Sequence, residues 1–361
     1  MAGEDETPER PDGAADESAD WTVDAIDWHL LLLGLAGRVS DSVVARCRDL
    51  LADQREADVG QALVAGILAE AVPLFEVEVD FLGDAMGWTD EADETLSGIA
   101  ITESGVPLGY GFAAHPEADD DIDGEGERAD RAAIESTTAL AGTIGLWRAW
   151  RLSTGNRPSR HIAAVYVVEV DEDADLIFVT GQIQRALVAA GQADPRVEVY
   201  PAGFELPSYQ RLVRGQGELL WSRTPDPGVQ IAVLFDEVDP THGPRFRPDH
   251  PSVDDEELPW LVEYLRRGEP LLMTTGRLGD VVNLARGKVV PMSFRSDGNW
   301  VWSDATTYYL ETYGLLPDPA LVAHVRAQNY VPPMVDDVAM HRAMSALRAP
   351  AAEEPAWTFG G

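Results

Sequence analysis

Twelve residues hold the chain's most regular arrangement of carboxylates: Asp119-Asp120-Asp121-Ile122-Asp123-Gly124-Glu125-Gly126-Glu127-Arg128-Ala129-Asp130. Read as a calcium loop, acids fall at positions one, three, five, nine and twelve, with glycine at six where the backbone must turn around the ion. Asp119, Asp121, Asp123, Glu127 and Asp130 would be the ligands. Three departures favour a solvated acidic loop instead: Gly126 replaces the hydrophobe at position eight, Asp130 replaces the longer glutamate, and Ala114-His115-Pro116 makes a poor incoming helix.

Anion chemistry has two candidate places. His242, Arg245, Arg247 and His250 concentrate basic groups in an acidic chain, so Arg245, Arg247 and His250 could clamp an anionic ligand or, the favoured expectation, satisfy nearby carboxylates. The Thr180-Gly181 corner could offer backbone N–H groups, as many such corners do. Gly109-Tyr110-Gly111 leads into Pro116 where a phosphate-binding helix should run, and Gly287-Lys288 lacks the glycine of a phosphate loop. The seven histidines have no metal-ligand spacing, the only cysteine is Cys47, and no Gly-x-Ser-x-Gly elbow occurs. No catalytic residue and no cofactor beyond the calcium reading is expected.

A third constellation suits recognition. Arg295, Asp297, Trp300, Trp302, Tyr308 and Tyr309 gather around a predicted hairpin, with Trp300 and Trp302 on one strand face. Core packing is the ordinary fate of such aromatics, and a binding surface rich in Trp, Tyr and Arg is the alternative.

The elements that must position these groups divide the chain. Residues 1–20 lack large hydrophobes and read as a disordered acidic leader. Residues 21–88 read as a small all-α domain, with stripes such as Val43, Val44, Cys47, Leu50 and Leu51. An acidic connector over 89–130 holds a weak strand pair at 99–102 and 108–112. A helix over 131–152 follows, centred on 132–150. Residues 160–348 read as an α+β domain: strands at 162–170, 175–180, 197–200, 218–221 and 229–235, helices at 182–190, 259–267, 303–313, 319–328 and 336–347, and a hairpin turning at Ser296-Asp297-Gly298. Residues 349–361 read as a flexible tail. The fold class is α+β, a helical N-terminal domain followed by a mixed domain.

Charge narrows the partners. The formal charge is −36, and residues 1–130 hold 33 of the 63 acids but 6 of the 27 Lys and Arg, of which Lys288 is the sole lysine. Such a field repels nucleic acid and anionic lipid and draws cationic proteins, though salt adaptation also produces it. The acidic N-terminus is unlike a secretory leader and no apolar run reaches membrane length, so a cytoplasmic location is expected.

Two stretches carry a family resemblance. Val290–Arg326, with Pro291-Met-Ser-Phe-Arg-Ser-Asp-Gly-Asn-Trp-Val-Trp302 and Tyr308-Tyr309, resembles the C-terminal part of uncharacterised proteins of GC-rich actinobacteria, as does Val197–Trp221 with Glu205-Leu-Pro207 and Tyr209-Gln-Arg211. That family is loosely associated with toxin–immunity loci and supplies no catalytic residues. The resemblance and the charge imply a non-catalytic, immunity- or antitoxin-like module engaging a cationic protein. An enzyme or small-ligand binder with an anion site in the α+β domain is the alternative.

Overall fold

The computed structural model describes residues 23–105, 108–115, 125–153 and 162–349. It is an N-terminal helical region followed by a mixed α+β region with several sheets. The helical region comprises α1 (Ala25–Leu35), α2 (Asp41–Ala52), α3 (Glu56–Glu70), α4 (Glu76–Met86) and α5 (Asp90–Leu96). Asp24 starts α1 through a reciprocal cap, accepting the Ile26 and Asp27 N–H groups while Asp27 accepts its own. Trp28, Leu32, Cys47, Leu63 and Ile67 close the core of this layer. Cys47 is fully buried, and burial pushes its thiol up to about 12. It should resist iodoacetamide in the native protein and react fully in denaturant; native labelling would contradict its placement.

The first sheet is built from β1 (Tyr110–Ala113), β2 (Thr143–Ser153), β3 (Ile162–Val170), β4 (Arg196–Pro201) and β5 (Glu218–Ser222), interspersed with α6 (Glu125–Ala139), α7 (Leu176–Ala189) and α8 (Ser208–Gln216). Strand order is β1-β2-β3-β4, and β5 shares with β1 the outer side of β2. β3 and β4 are parallel, joined by α7. Alternation sends Leu146, Trp150, Tyr166 and Val168 to the core containing α6 and α7, and Trp147, Ala149, Val165 and Val167 to the core containing α8.

Three expectations are corrected here. The helix over 132–150 is instead the end of α6 and most of β2, because Gly142 turns at φ +82 and the following residues alternate between two buried faces. Residues 175–180 open α7, with Asp175 capping Phe178 N–H at 2.9 Å. The 99–102 and 108–112 segments do not pair: Ile101 bridges Leu74, and β1 joins β2. The connector region also contains α5, begun by the Thr89 hydroxyl.

The remaining elements are β6 (Gln230–Ile231), β7 (Glu237–Asp239), β8 (Gly243–Arg245), α9 (Leu258–Arg267), β9 (Glu269–Leu272), β10 (Arg277–Gly279), β11 (Lys288–Pro291), β12 (Phe294–Ser296), β13 (Trp300–Ser303), α10 (Asp304–Tyr313), α11 (Pro319–Ala327) and α12 (Asp337–Arg348). A second sheet runs β6-β13-β12-β9, while β7-β8 and β10-β11 form separate pairs. Only 230–231 of the expected 229–235 strand pairs as a strand. The predicted hairpin forms, with Gly298 at φ +86. α12 joins the two sheets: Val338 enters the core of the first, and Met340, Ala343 and Met344 pack under the second. No helix among the described residues is long and apolar enough to cross a membrane.

The helical layer is fastened to the first sheet by buried charge. Arg48 grips Glu198 at 2.9 and 2.7 Å, Gln210 donates to the same carboxylate at 2.8 Å, and all three residues are nearly solvent-free. Asp41 accepts from Arg151 at 2.8 Å and Arg196 at 2.6 Å. His29 Nε2 donates to the Val199 carbonyl at 2.8 Å on β4, an end strand of the sheet, which helps cover that edge.

Candidate functional site

A surface on α4 and α5 leaves a run of exposed carboxylates without cationic partners among the described residues. Between Arg55 and His115 the chain has twelve acids and no Lys, Arg or His. Glu78 pairs with Arg38 at 2.6 Å, but Glu76, Asp80, Asp84, Asp90, Glu91, Asp93, Glu94 and Glu103 have no cationic partner among the described residues. Glu76, Asp80, Asp84 and the four acids of α5 are exposed.

An aromatic ring sits in this field. α4 ends at Gly87, φ +78, and Trp88 follows at φ +44, which folds its indole back over the helix. The Trp88 indole N–H donates to Asp84 at 2.6 Å. Gly83 makes the seat: a Cβ there would stand 2.2 Å from the Trp88 ring. The ring remains 48% exposed, and Val77 in the first turn of α4 is 72% exposed. A half-exposed indole bonded to a carboxylate, in a stretch of further exposed acids, offers a cationic side chain both a π face and anionic partners.

The sequence-derived candidates occupy different environments. Trp300, Trp302 and Tyr309 are core residues, 8%, 0% and 2% exposed, so the hairpin aromatics do not form a recognition surface. Trp302 packs on Gly268 and donates its indole N–H to Leu265 carbonyl at 3.1 Å. Asp297 is a buried hub, accepting from Tyr264 hydroxyl at 2.5 Å, His324 Nε2 at 2.7 Å and the Asn299 and Trp300 N–H groups. It clamps the turn to α9 and α11. Arg295 is spent on Asp304 at 2.8 Å and the Gly268 carbonyl. Tyr308 donates to Asp280, another buried carboxylate, also bonded by Tyr313 and the Val282 and Asn283 N–H groups. Burial works to raise the Asp280 carboxyl, but these donors hold it below its ordinary value.

The basic loop is neutralised by its neighbours. Arg245 pairs with Glu237, Arg247 lies 3.9 Å from both Asp236 and Asp249, and His250 bonds Asp236 at 2.9 Å and the Leu316 carbonyl at 2.9 Å. These contacts leave no assembled anion clamp. Thr180 and Gly181 lie inside α7, not at a helix N-terminus.

Of the calcium-loop residues, Asp119, Asp121 and Asp123 lie outside the described residues. α6 already begins at Glu125, so positions seven to twelve are helical and cannot curl around an ion. Glu127 faces solvent, whereas Asp130 accepts from Tyr166 hydroxyl at 2.8 Å and lies 3.5 Å from Arg148. Among the described residues no three His, Cys, Asp or Glu side chains form a metal-binding group.

Sequence reasoning located the acidity but missed Trp88. Its available signal was Gly83 and Gly87 preceding a lone tryptophan in a base-free stretch. No family model, curated protein or solved structure matches this chain.

Proposed function

We propose that the protein is a non-catalytic binding module that engages a cationic protein, in the manner of an immunity or antitoxin partner, through the α4–α5 face. The supporting observation is the glycine-seated, half-exposed Trp88 amid carboxylates that lack cationic partners. Long-range attraction from the acids would raise the encounter rate, and Trp88 with Val77 would supply the contact that holds the complex. A lysine or arginine over the indole contributes roughly 0.5–2 kcal/mol.

The test is capture from the native host at low salt by the immobilised full chain, followed by mass spectrometry and titration of the captured protein. The expected partner is basic, binds in stoichiometric amount, and weakens steeply with added salt. Trp88→Ala should weaken it about 5- to 30-fold, the equivalent of ~1–2 kcal/mol. Asp80→Lys with Asp90→Lys should chiefly slow association. Recovery of the protein without a partner, or capture unaffected by these substitutions, would refute the reading.

A further inference from the structure

A different part of the molecule offers main-chain recognition. β5 pairs with β2 along one side, through Glu218↔Arg148, Leu219↔Trp147, Trp221↔Leu146 and Ser222↔Gly145. Among the described residues no strand pairs with its other side. A cleft of about 600 Å³ lies there, with Gly217–Ser222 as one wall and His341, Arg342 and Ser345 of α12 opposite. An unpaired edge beside a cleft is a template for an added strand, because its outward N–H and C=O groups can pair with an incoming backbone.

We propose that this cleft receives an extended basic segment of a partner protein, which adds to the first sheet beside β5. The proposal rests on the cationic-partner reading and adds a second contact by a different mode. Five residues of strand span roughly 17 Å, which sets the length of the added segment. The register break opposite Leu146 and Trp147 interrupts the edge near Leu220, so continuous pairing would be short.

The charges of the cleft select the sign of the segment. Arg342 is held by Ser222 Oγ at 2.7 Å and the Thr224 and Pro225 carbonyls at 2.7 and 3.2 Å, so its guanidinium is already engaged. Arg148 is shared among Glu218 at 2.6 Å, the Ala114 carbonyl at 2.8 Å and Asp130 at 3.5 Å, so it too is already engaged. Asp226 is 64% exposed on its side chain and stands 3.9 Å from Arg342. Accessible carboxylates beside engaged arginines favour Lys or Arg on alternate residues of an incoming strand. An acidic segment would meet Glu218 and Asp226, and among the described residues lining the cleft the remaining basic groups are His341 and His115, the latter 3.9 Å from Glu218, and a histidine carries charge only when protonated.

The probe is a fluorescein-labelled decapeptide of alternating lysine and valine, titrated against the full chain by anisotropy, with hydrogen exchange read at residues 218–222. Two control peptides replace lysine with glutamate or methylate alternate backbone nitrogens. Binding should bring exchange protection to β5, and either control should bind at least 10-fold more weakly. Ser345→Trp, which fills the cleft from an exposed position on α12, should reduce binding by a similar factor while its circular dichroism and melting temperature confirm folding. Equal binding by the methylated or acidic peptide, absent protection at β5, or no binding would overturn the proposal. So would a dimer that the peptide dissociates, since the edge would then belong to a second copy. Binding lost in Trp88→Ala but kept in Ser345→Trp would overturn the cleft and leave the cationic-partner reading standing. Peptide binding at β5 with no basic partner captured from the host would separate the two in the other direction.

Discussion

Arg48→Ala is expected to remove about 3–5 kcal/mol of folding stability, because it strands the Glu198 carboxylate in the interior. Arg48 and Glu198 are each 2% exposed, and among the described residues the only other donor on that carboxylate is Gln210. Truncation therefore exposes the desolvation cost that the pair conceals. Replacing both partners by apolar residues of similar size, Arg48→Met with Glu198→Leu, should recover most of the loss, since neither charge then needs solvation. Urea denaturation of the two single variants and the double variant measures this coupling. A cost below about 1 kcal/mol for Arg48→Ala would show that apolar contacts alone fasten the helical layer to the sheet.

Glu169→Gln should act in the opposite direction at alkaline pH. Glu169 is 4% exposed on β3, and its Oε2 has no hydrogen-bond partner among the described residues. Burial, reinforced by Asp337 and opposed by Arg214, raises its carboxyl from 4.5 to about 7. The folded protein thus binds a proton more tightly than the unfolded chain. Stability falls as pH rises from 4.5 to 7, and the whole cost, about 3 kcal/mol as an upper figure, is present above that window. Glutamine carries no such charge, so the variant should exceed the wild type at pH 8 and lose that advantage toward pH 5. Burial lowers His29 and His341 to about 4, so both subtract stability as pH falls from 6.5 toward 4. The variant should retain this acid-side decline. Denaturant midpoints at pH 5, 6, 7 and 8 separate the contributions; parallel curves for wild type and variant would sink the assignment to Glu169.

Much of the architecture was legible because one environment acts on a whole segment. The stripe of α2 faces one core, β3 is covered on both sides, and Asp297-Gly298 needs a tight turn, so each leaves a local pattern. β2 was not legible. Its Trp147-Arg148-Ala149-Trp150-Arg151 run lacks strand-like polarity, since both arginines lie inside, neutralised by Glu218, Asp130 and Asp41 from distant parts of the chain. The same principle governed the candidate sites. Basic residues at 245, 247 and 250 were expected to satisfy nearby carboxylates, but that these are Glu237 and Asp236 only the fold shows. Trp88 looked unremarkable until the missing Cβ of Gly83 let its ring lie down on α4.

The position of α12 bears on how the chain is made. Its residues complete the cores of both sheets, yet they follow every strand they cover. During synthesis Leu271 and Val301 of the second sheet, and the part of the first sheet that meets Val338, must wait uncovered until residues near 348 clear the ribosome. At roughly 5–20 residues per second this leaves a nascent chain several seconds in which the sheets are built but unsealed. Chaperone dependence should accordingly track the arrival of this segment more closely than the completion of the sheets themselves.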